Sequence, residues 1–152
     1  HITLTATDEN GNIKAYRQTD NVVINEGDDC LVADAFNVPV GACGNTSTAF
    51  DDVHIGTTQT TFTETNTAGL SAWKATTGGS VGTIVAATGV SGASVKVTAN
   101  FLDVSASIAE AGLYNSANTN TGDPLALQSF TAIPLGATDD LTIEWTVTID
   151  GS

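Results

Sequence analysis

The stretch LTIEWTVTI, from Leu141 to Ile149, indicates the fold class of this 152-residue chain. Its odd-numbered positions are all apolar and its even-numbered positions are all polar. Strict period-two alternation is typical of a β-strand that has one face on an apolar core and the other face in solvent. The same alternation occurs from Ala93 to Phe101 and from Ile2 to Thr7, so three well-separated segments predict half-buried strands.

The rest of the chain carries further short β-forming segments, separated by turn signals such as Asn10-Gly11 and Gly78-Gly79. Abundant threonine and valine, with few strong helix formers, favour an all-β chain. Short strands at regular spacing predict a β-sandwich or jelly-roll-like fold, and the length fits a single domain.

One short helix is expected near residues 30–36. Asp28 or Asp29 is predicted to cap it, because short acidic side chains accept hydrogen bonds from the free backbone N–H groups of a first helical turn. The apolar side chains of the segment are predicted to face the core; they are Leu31, Val32, Ala35 and Phe36.

The net charge of −13 argues against some classes of binding partner. The chain has 17 acidic and only 4 basic side chains, whereas nucleic acid and anionic lipid both select basic surfaces. No apolar run approaches the roughly 20 residues that a membrane-spanning helix requires. We therefore expect neither a nucleic-acid partner nor a membrane span.

Cys30 and Cys43 are the two cysteines of the chain, and they lie close together in the sequence. This spacing, with no histidine between them, favours one disulfide bond over a metal–thiolate site. A disulfide implies an oxidising compartment. The sequon Asn45-Thr46-Ser47 follows at once and predicts Asn45 as a glycosylation acceptor.

The chain begins at His1 and contains no methionine. Since an initiator methionine is removed efficiently only before small residues, we interpret His1 as the first residue left by cleavage of a signal peptide. This interpretation predicts an exported protein that is located outside the cell or at the cell surface.

Four segments, in this order and spacing, are similar to a β-sandwich module of virion and tail structural proteins of tailed viruses. They are DNVVINEG (residues 20–27), HIGTT (54–58), IAEAGLYN (108–115) and LTIEWTVTI (141–149). The likeness runs from residue 20 to residue 149 and concerns architecture, since none of the four segments is a catalytic signature. It implies a virion or tail structural protein as one alternative. A processed N-terminus departs from those modules, which are assembled in the cytoplasm.

The layout and composition of the chain also resemble those of secreted, pilus-like filament subunits, archaeal ones in particular. In such subunits an N-terminal strand is donated into a groove of the next subunit. The resemblance implies a donor strand with its turn (residues 1–17) and a β-sandwich domain (residues 18–152). It also implies that the partners are identical subunits in an extracellular homopolymer.

The alternation in residues 2–7 supports donation on physical grounds, because a strand near a chain terminus can pair within its own sheet or complete the sheet of a neighbour. In the second case the donor side chains are Ile2, Leu4 and Ala6. Head-to-tail donation does not close on itself and therefore builds a filament. An ordinary first strand of a monomer is the alternative. The expected acceptor groove is lined by Val95, Val97, Phe101, Ile143, Trp145 and Val147.

The sequence does not predict an enzyme. It has no Gly-x-Ser-x-Gly elbow and no phosphate-binding glycine loop, and no cofactor is expected. Glu110 and Glu144 could form a carboxylate pair for glycoside hydrolysis, but Glu144 lies at a solvent-facing position of its strand.

A secreted copper-binding protein or monooxygenase is the chemical alternative. His1 would supply its α-amine and imidazole, and His54 a second imidazole, because such nitrogen ligands suit Cu(II). This pair is similar to the ligand set of copper-dependent polysaccharide monooxygenases, although the surrounding sequence does not resemble theirs. The leading expectation is that no metal is bound.

Overall fold

The chain folds into two packed antiparallel β-sheets, with a helix against the second. This computed structural model describes residues 1–36, 49–66, 69–88, 92–118 and 122–149. Within these ranges it contains ten strands and one helix. The predicted all-β sandwich with one short helix is therefore confirmed.

The elements are numbered in chain order: β1 (Ile2–Thr7), β2 (Ile13–Thr19), β3 (Val22–Val23), α1 (Asn25–Phe36), β4 (Asp52–Gly56), β5 (Trp73–Gly78), β6 (Ser80–Val81), β7 (Ala93–Phe101), β8 (Ser107–Tyr114), β9 (Pro124–Pro134) and β10 (Asp140–Ile149). Sheet A has the strand order β2-β1-β10-β7-β6, and sheet B has the order β3-β9-β8-β4-β5. The three strands predicted from period two, β1, β7 and β10, all belong to sheet A.

An apolar core fills the space between the two sheets. Sheet A contributes alternate side chains, among which Ile143 and Trp145 are at most 1% exposed. Sheet B contributes Val53, Ile55 and Leu113 to the same cluster. Because strands expose successive side chains on opposite faces, the period-two pattern of the sequence becomes one buried row on each of β1, β7 and β10.

Helix α1 is longer than predicted and begins earlier. It runs from Asn25 to Phe36, so Asp28 and Asp29 lie inside the helix and the predicted cap is wrong. The Asp28 N–H donates to Ile24 O at 3.1 Å, which closes the first turn. Acidic side chains are favourable in this turn because the aligned peptide dipoles leave partial positive charge there.

The buried face of α1 agrees only in part with the prediction. Of the four side chains predicted to face the core, Leu31 is half-buried and packs against it as predicted. Val32 and Phe36 are instead 59% and 74% exposed, and Ala35 is exposed as well. Cys30, which was not among the four, is buried. Gly27 allows the close contact that orients the helix, since a Cβ atom there would lie only 2.5 Å from Leu125 Cα of β9. The approach of helix to sheet, rather than the apolar pattern of the helix, therefore selects the buried face.

The outer faces of the two sheets have different surroundings. Sheet A carries partly exposed hydroxyl side chains on its outer face, such as Thr5 and Thr142. The outer face of sheet B is covered by the segment that joins β4 to β5, which we call the covering segment (residues 57–72, described except 67–68). Phe62 of this segment packs with Tyr114 in a second apolar cluster.

Candidate functional site

The predicted donor strand β1 is an inner strand of its own sheet in this structure. It lies between β2 and β10 and pairs antiparallel with both. Its inward side chains have no exposed surface. In the ladder to β10, Ile2, Leu4 and Ala6 lie opposite Trp145, Ile143 and Leu141.

The predicted groove residues lie on β7 and β10, and most of them belong to the core of sheet A. Four of them are buried: Val97, Phe101, Ile143 and Trp145. The other two, Val95 and Val147, are half-buried. Because β10 separates β1 from β7, only Ile143 and Trp145 of the predicted groove pair directly with β1. The structure thus pairs the predicted donor with two of the six predicted groove residues within one chain.

A five-residue turn, Asp8 to Asn12, joins β1 to β2. The Asp8 carboxylate organises it, because its Oδ1 accepts the backbone N–H groups of Asn10 and Asn12, each at 2.9 Å. The Asn12 side-chain amide donates to the same carboxylate, at 3.0 Å from Oδ2. These hydrogen bonds, with that of the Asn12 side chain foremost, hold the pKa of Asp8 below its ordinary value.

The β1–β2 hairpin is joined to the rest of sheet A, within the described residues, by the single ladder between β1 and β10. β2 is an edge strand that continues to Thr19. The predicted boundary between the donor segment and the sandwich domain, at residue 17, therefore lies within β2. An ion pair adds a side-chain link, in which Lys14 Nζ donates to the buried carboxylate of Asp139. This hydrogen bond is the main reason why the pKa of Asp139 lies below its ordinary value.

An open apolar groove of about 870 Å³ lies at the end of the sandwich next to the start of β1. Its walls include Val32 and Phe36 of α1 and Trp145 and Ile149 of β10. The Trp145 Nε1–H is buried and has no hydrogen-bond acceptor within the described residues. A buried donor without an acceptor costs about 1–3 kcal/mol, so among the described residues this indole N–H is an unfavourable part of the core.

The two histidines of the copper alternative have separate surroundings. His1 Nδ1 is 3.3 Å from Asp20 Oδ1, beside sheet A. His54 is 1% exposed on the outer face of sheet B, where its ring stacks on Tyr114 at a centroid distance of 4.0 Å and its Nε2 lies 2.9 Å from Ser116 O. Burial lowers the pKa of His54. The structure does not bring the two imidazoles together, and within the described ranges it has no cluster of three or more potential metal ligands.

Glu110 is a fully buried carboxylate that sequence reasoning did not recognise as a structural centre. Its Oε2 accepts from Thr60 Oγ1 at 2.9 Å, with Ser71 Oγ 3.5 Å away, and its Oε1 accepts the Ala72 N–H at 3.0 Å. All three donors belong to the covering segment, so Glu110 ties this segment to sheet B. The available signal was the nearly continuous apolar run around Glu110, which is typical of a strand buried on both faces.

Glu144, the other member of the considered carboxylate pair, lies on the outer face of sheet A. It pairs with Lys96 of β7 at 3.1 Å. Glu110 and Glu144 therefore occupy opposite outer faces of the sandwich. They do not form the facing pair that glycoside hydrolysis uses.

Two predicted features involve residues outside the described ranges. Cys30 is 1% exposed in α1, but Cys43 lies in a part of the chain that the structure does not describe. The same holds for Asn45. The disulfide and the glycosylation site therefore stay predictions.

Comparisons of the chain with protein-family models, curated proteins and solved structures found no match. Within the described residues, no helix has the length and apolar character that crossing a membrane requires. The virion protein and the copper-binding protein stay alternatives with no observation in the described residues in their favour. Function is therefore inferred from β1 and the sheet around it.

Proposed function

We propose that this protein is a structural subunit of an extracellular, pilus-like filament that polymerises by exchange of β1 between neighbouring copies. The observation that carries the proposal is the position of β1. It is a strand without charged residues, inserted between two others, whose inward side chains are completely buried. Its contacts within one chain are those that a donated strand would make with a neighbour.

Exchange would replace the contacts of β1 by identical contacts with a second copy. The ladder to β10 and the burial of Ile2 and Leu4 would be the same, and the turn at residues 8–12 would open. Full burial of an Ile or Leu side chain contributes about 1.5–3 kcal/mol. A subunit that releases its own β1 regains this contribution by accepting another, so swapping an identical element is a low-cost route to assembly.

The direction of donation determines the product. If each subunit donates β1 to the next and accepts one from the previous subunit, the contact is heterologous and the series of subunits stays open. Transfer of β1 buries no charge, which matters in a chain of net charge −13. When extended, the five residues of the turn span at most about 18 Å, so donor and acceptor subunits must be in close contact.

A cross-linking experiment tests whether β1 is exchanged. Thr5 of β1 and Thr142 of β10 are paired positions on the outer face of sheet A, so a Thr5→Cys/Thr142→Cys variant can be joined by a short thiol-reactive linker without disturbing the core. Donation predicts a ladder of covalent oligomers on a denaturing gel after polymerised protein is cross-linked. Cross-linked monomer alone would overturn the proposal.

The matched control is the variant Asn100→Cys/Thr142→Cys. Asn100 and Thr142 pair between β7 and β10, which are not exchanged, so this variant should give cross-linked monomer whether or not filaments form. Electron microscopy and size-exclusion chromatography of the same samples measure assembly directly. A homogeneous monomer in every condition, without fibres, would also contradict the proposal.

A further inference from the structure

The two edges of sheet A differ in their protection against pairing with another chain. One edge is β2, which carries Lys14 and Arg17. Arg17 lies opposite Leu4 and thus at an inward-facing position. Charged residues on an edge strand, inward-pointing ones above all, discourage pairing between edges. The charged residues of β2 therefore protect this edge against pairing with a strand of another chain.

The opposite edge is formed by β6 and the residues that follow it. We call residues 80–87 the neutral edge, because the sequence SVGTIVAA contains no charged residue and no proline. All eight residues are exposed. Val81, Ile84 and Val85 are 51%, 69% and 62% exposed, so aliphatic side chains stand in solvent along this edge.

The neutral edge belongs to a longer charge-free stretch. From Ala75 to Val95 the sequence contains no Asp, Glu, Lys, Arg or His, although the whole chain has 17 acidic residues. Two copies with a net charge of −13 repel each other. Repulsion is weakest where neither approaching surface is charged, since screening reduces the effect of more distant charges. Charge thus directs self-association toward this edge.

Backbone hydrogen bonds hold the neutral edge beside β7 on one side. Gly82 N–H donates to Lys96 O at 2.7 Å, and Val85 and Ser94 exchange two backbone bonds, of 2.7 and 2.9 Å. In the described sheet no strand lies on the other side. An exposed β-forming segment of this kind is a template for an added strand.

We propose that the neutral edge is a self-association surface, at which two copies of this chain pair antiparallel through residues 80–87. Pairing the same segment of two copies is isologous and unites their A sheets. The exposed side chains of Val81, Ile84 and Val85 would lose water-accessible surface in this contact. It does not depend on the exchange of β1: single subunits would form dimers, and polymerised subunits would gain a lateral contact.

Single cysteines at Thr83, Val85 and Ala87 test the contact. In an isologous antiparallel pair, the position nearest the two-fold axis faces its own copy, so at least one of these variants should give a covalent dimer with a short thiol-reactive linker. Gln18→Cys, on the exposed part of the β2 edge, is the matched control and should stay monomeric. The unsubstituted chain, treated alike, controls for its own cysteines. Equally low cross-linking at all positions would overturn the proposal.

A charge placed on the neutral edge gives a second test. Ile84→Lys should weaken the dimer by more than about tenfold in sedimentation equilibrium, the change that each 1.4 kcal/mol produces. Tyr16→Lys, at a 51% exposed position of the β2 edge, should leave the dimer unchanged. Both positions are exposed, and circular dichroism checks that both variants fold. Equal weakening of the dimer by the two substitutions would contradict pairing at residues 80–87. The Thr5–Thr142 cross-links test the exchange of β1 separately, so the two proposals can fail independently.

Discussion

The outer faces of sheets A and B differ in how deeply their side chains are buried. β1 of sheet A alternates between buried and half-buried residues, whereas β8 of sheet B is buried at every residue except its first. The covering segment accounts for much of the difference, because it supplies the hydrogen-bond donors that surround the buried Glu110 on the outside of sheet B. Within the described residues, the outer face of sheet A is therefore open, while the outer face of sheet B is covered by the chain itself.

The largest expected effect comes from the inward row of sheet A. Leu4→Ala removes a completely buried side chain and should lower the free energy of unfolding by about 2–5 kcal/mol. Thr5 follows Leu4 in the chain and lies on the outer face of sheet A. Thr5→Ala should change the free energy of unfolding by less than about 0.5 kcal/mol. Urea unfolding followed by circular dichroism measures both. Similar losses in the two variants would refute the assignment of inner and outer faces.

The two outer-face glutamates test the contrast between the sheets directly. Glu110→Ala leaves the donors on Thr60 and Ala72 without their acceptor and should cost about 2–4 kcal/mol. Glu144→Ala removes a surface ion pair with Lys96 and should cost less than about 1 kcal/mol. Hydrogen exchange should be faster at Ala72 in the first variant alone. Equal costs would mean that the covered face of sheet B is no more sensitive than the open face of sheet A.

Acid should weaken sheet B through His54. Because burial lowers its pKa below the ordinary value of 6.5, the unfolded chain takes up the proton at a higher pH than the folded chain. The stability linked to neutral His54 is therefore fully present above about pH 6.5 and is lost as the pH falls through the lower folded pKa. Urea midpoints measured from about pH 7.5 to 5, the range in which histidine titrates, should decline.

Two substitutions test whether His54 causes this decline in the urea midpoint. His54→Phe keeps an aromatic ring beside Tyr114 and should flatten the pH profile, because the titrating group is gone. His1→Gln, beside sheet A, should leave the decline in place. A profile unchanged by His54→Phe would show that another group controls it.

The smallest expected effect concerns the turn of the β1–β2 hairpin. Asp8→Asn should lower the melting temperature slightly at neutral pH, since it removes a charge that accepts N–H groups of Asn10 and Asn12. The lowered pKa means that this stabilisation is present above the ordinary value of 3.8 and is lost as the pH falls through the folded pKa. The difference from the parent should therefore vanish in strong acid. Glu9→Gln, in the same turn, should have no comparable effect.

Sequence patterning identified β1, β7 and β10 with their inward faces, because alternate side chains of a strand can share only one core. It did not identify the ladder order, which pairs Ile2 with Trp145 across nearly the whole chain. It also misplaced three of the four apolar side chains of α1, because the buried face depends on how closely Gly27 lets the helix approach β9. The Glu110 site was missed for a related reason, since its donors Thr60 and Ala72 lie far from it in sequence.

The sequence by itself determined the fold class, the inward rows of sheet A and the contrast between a charged β2 and a neutral segment at residues 80–87. Periodicity and charge are properties of local segments and persist whichever strands become neighbours. Only the tertiary structure decided that β1 lies between β2 and β10, that residues 80–87 form the opposite edge, and that His54 and Glu110 are buried. These features depend on which distant segments meet, and that is settled by the packing of two sheets and the covering segment around one core.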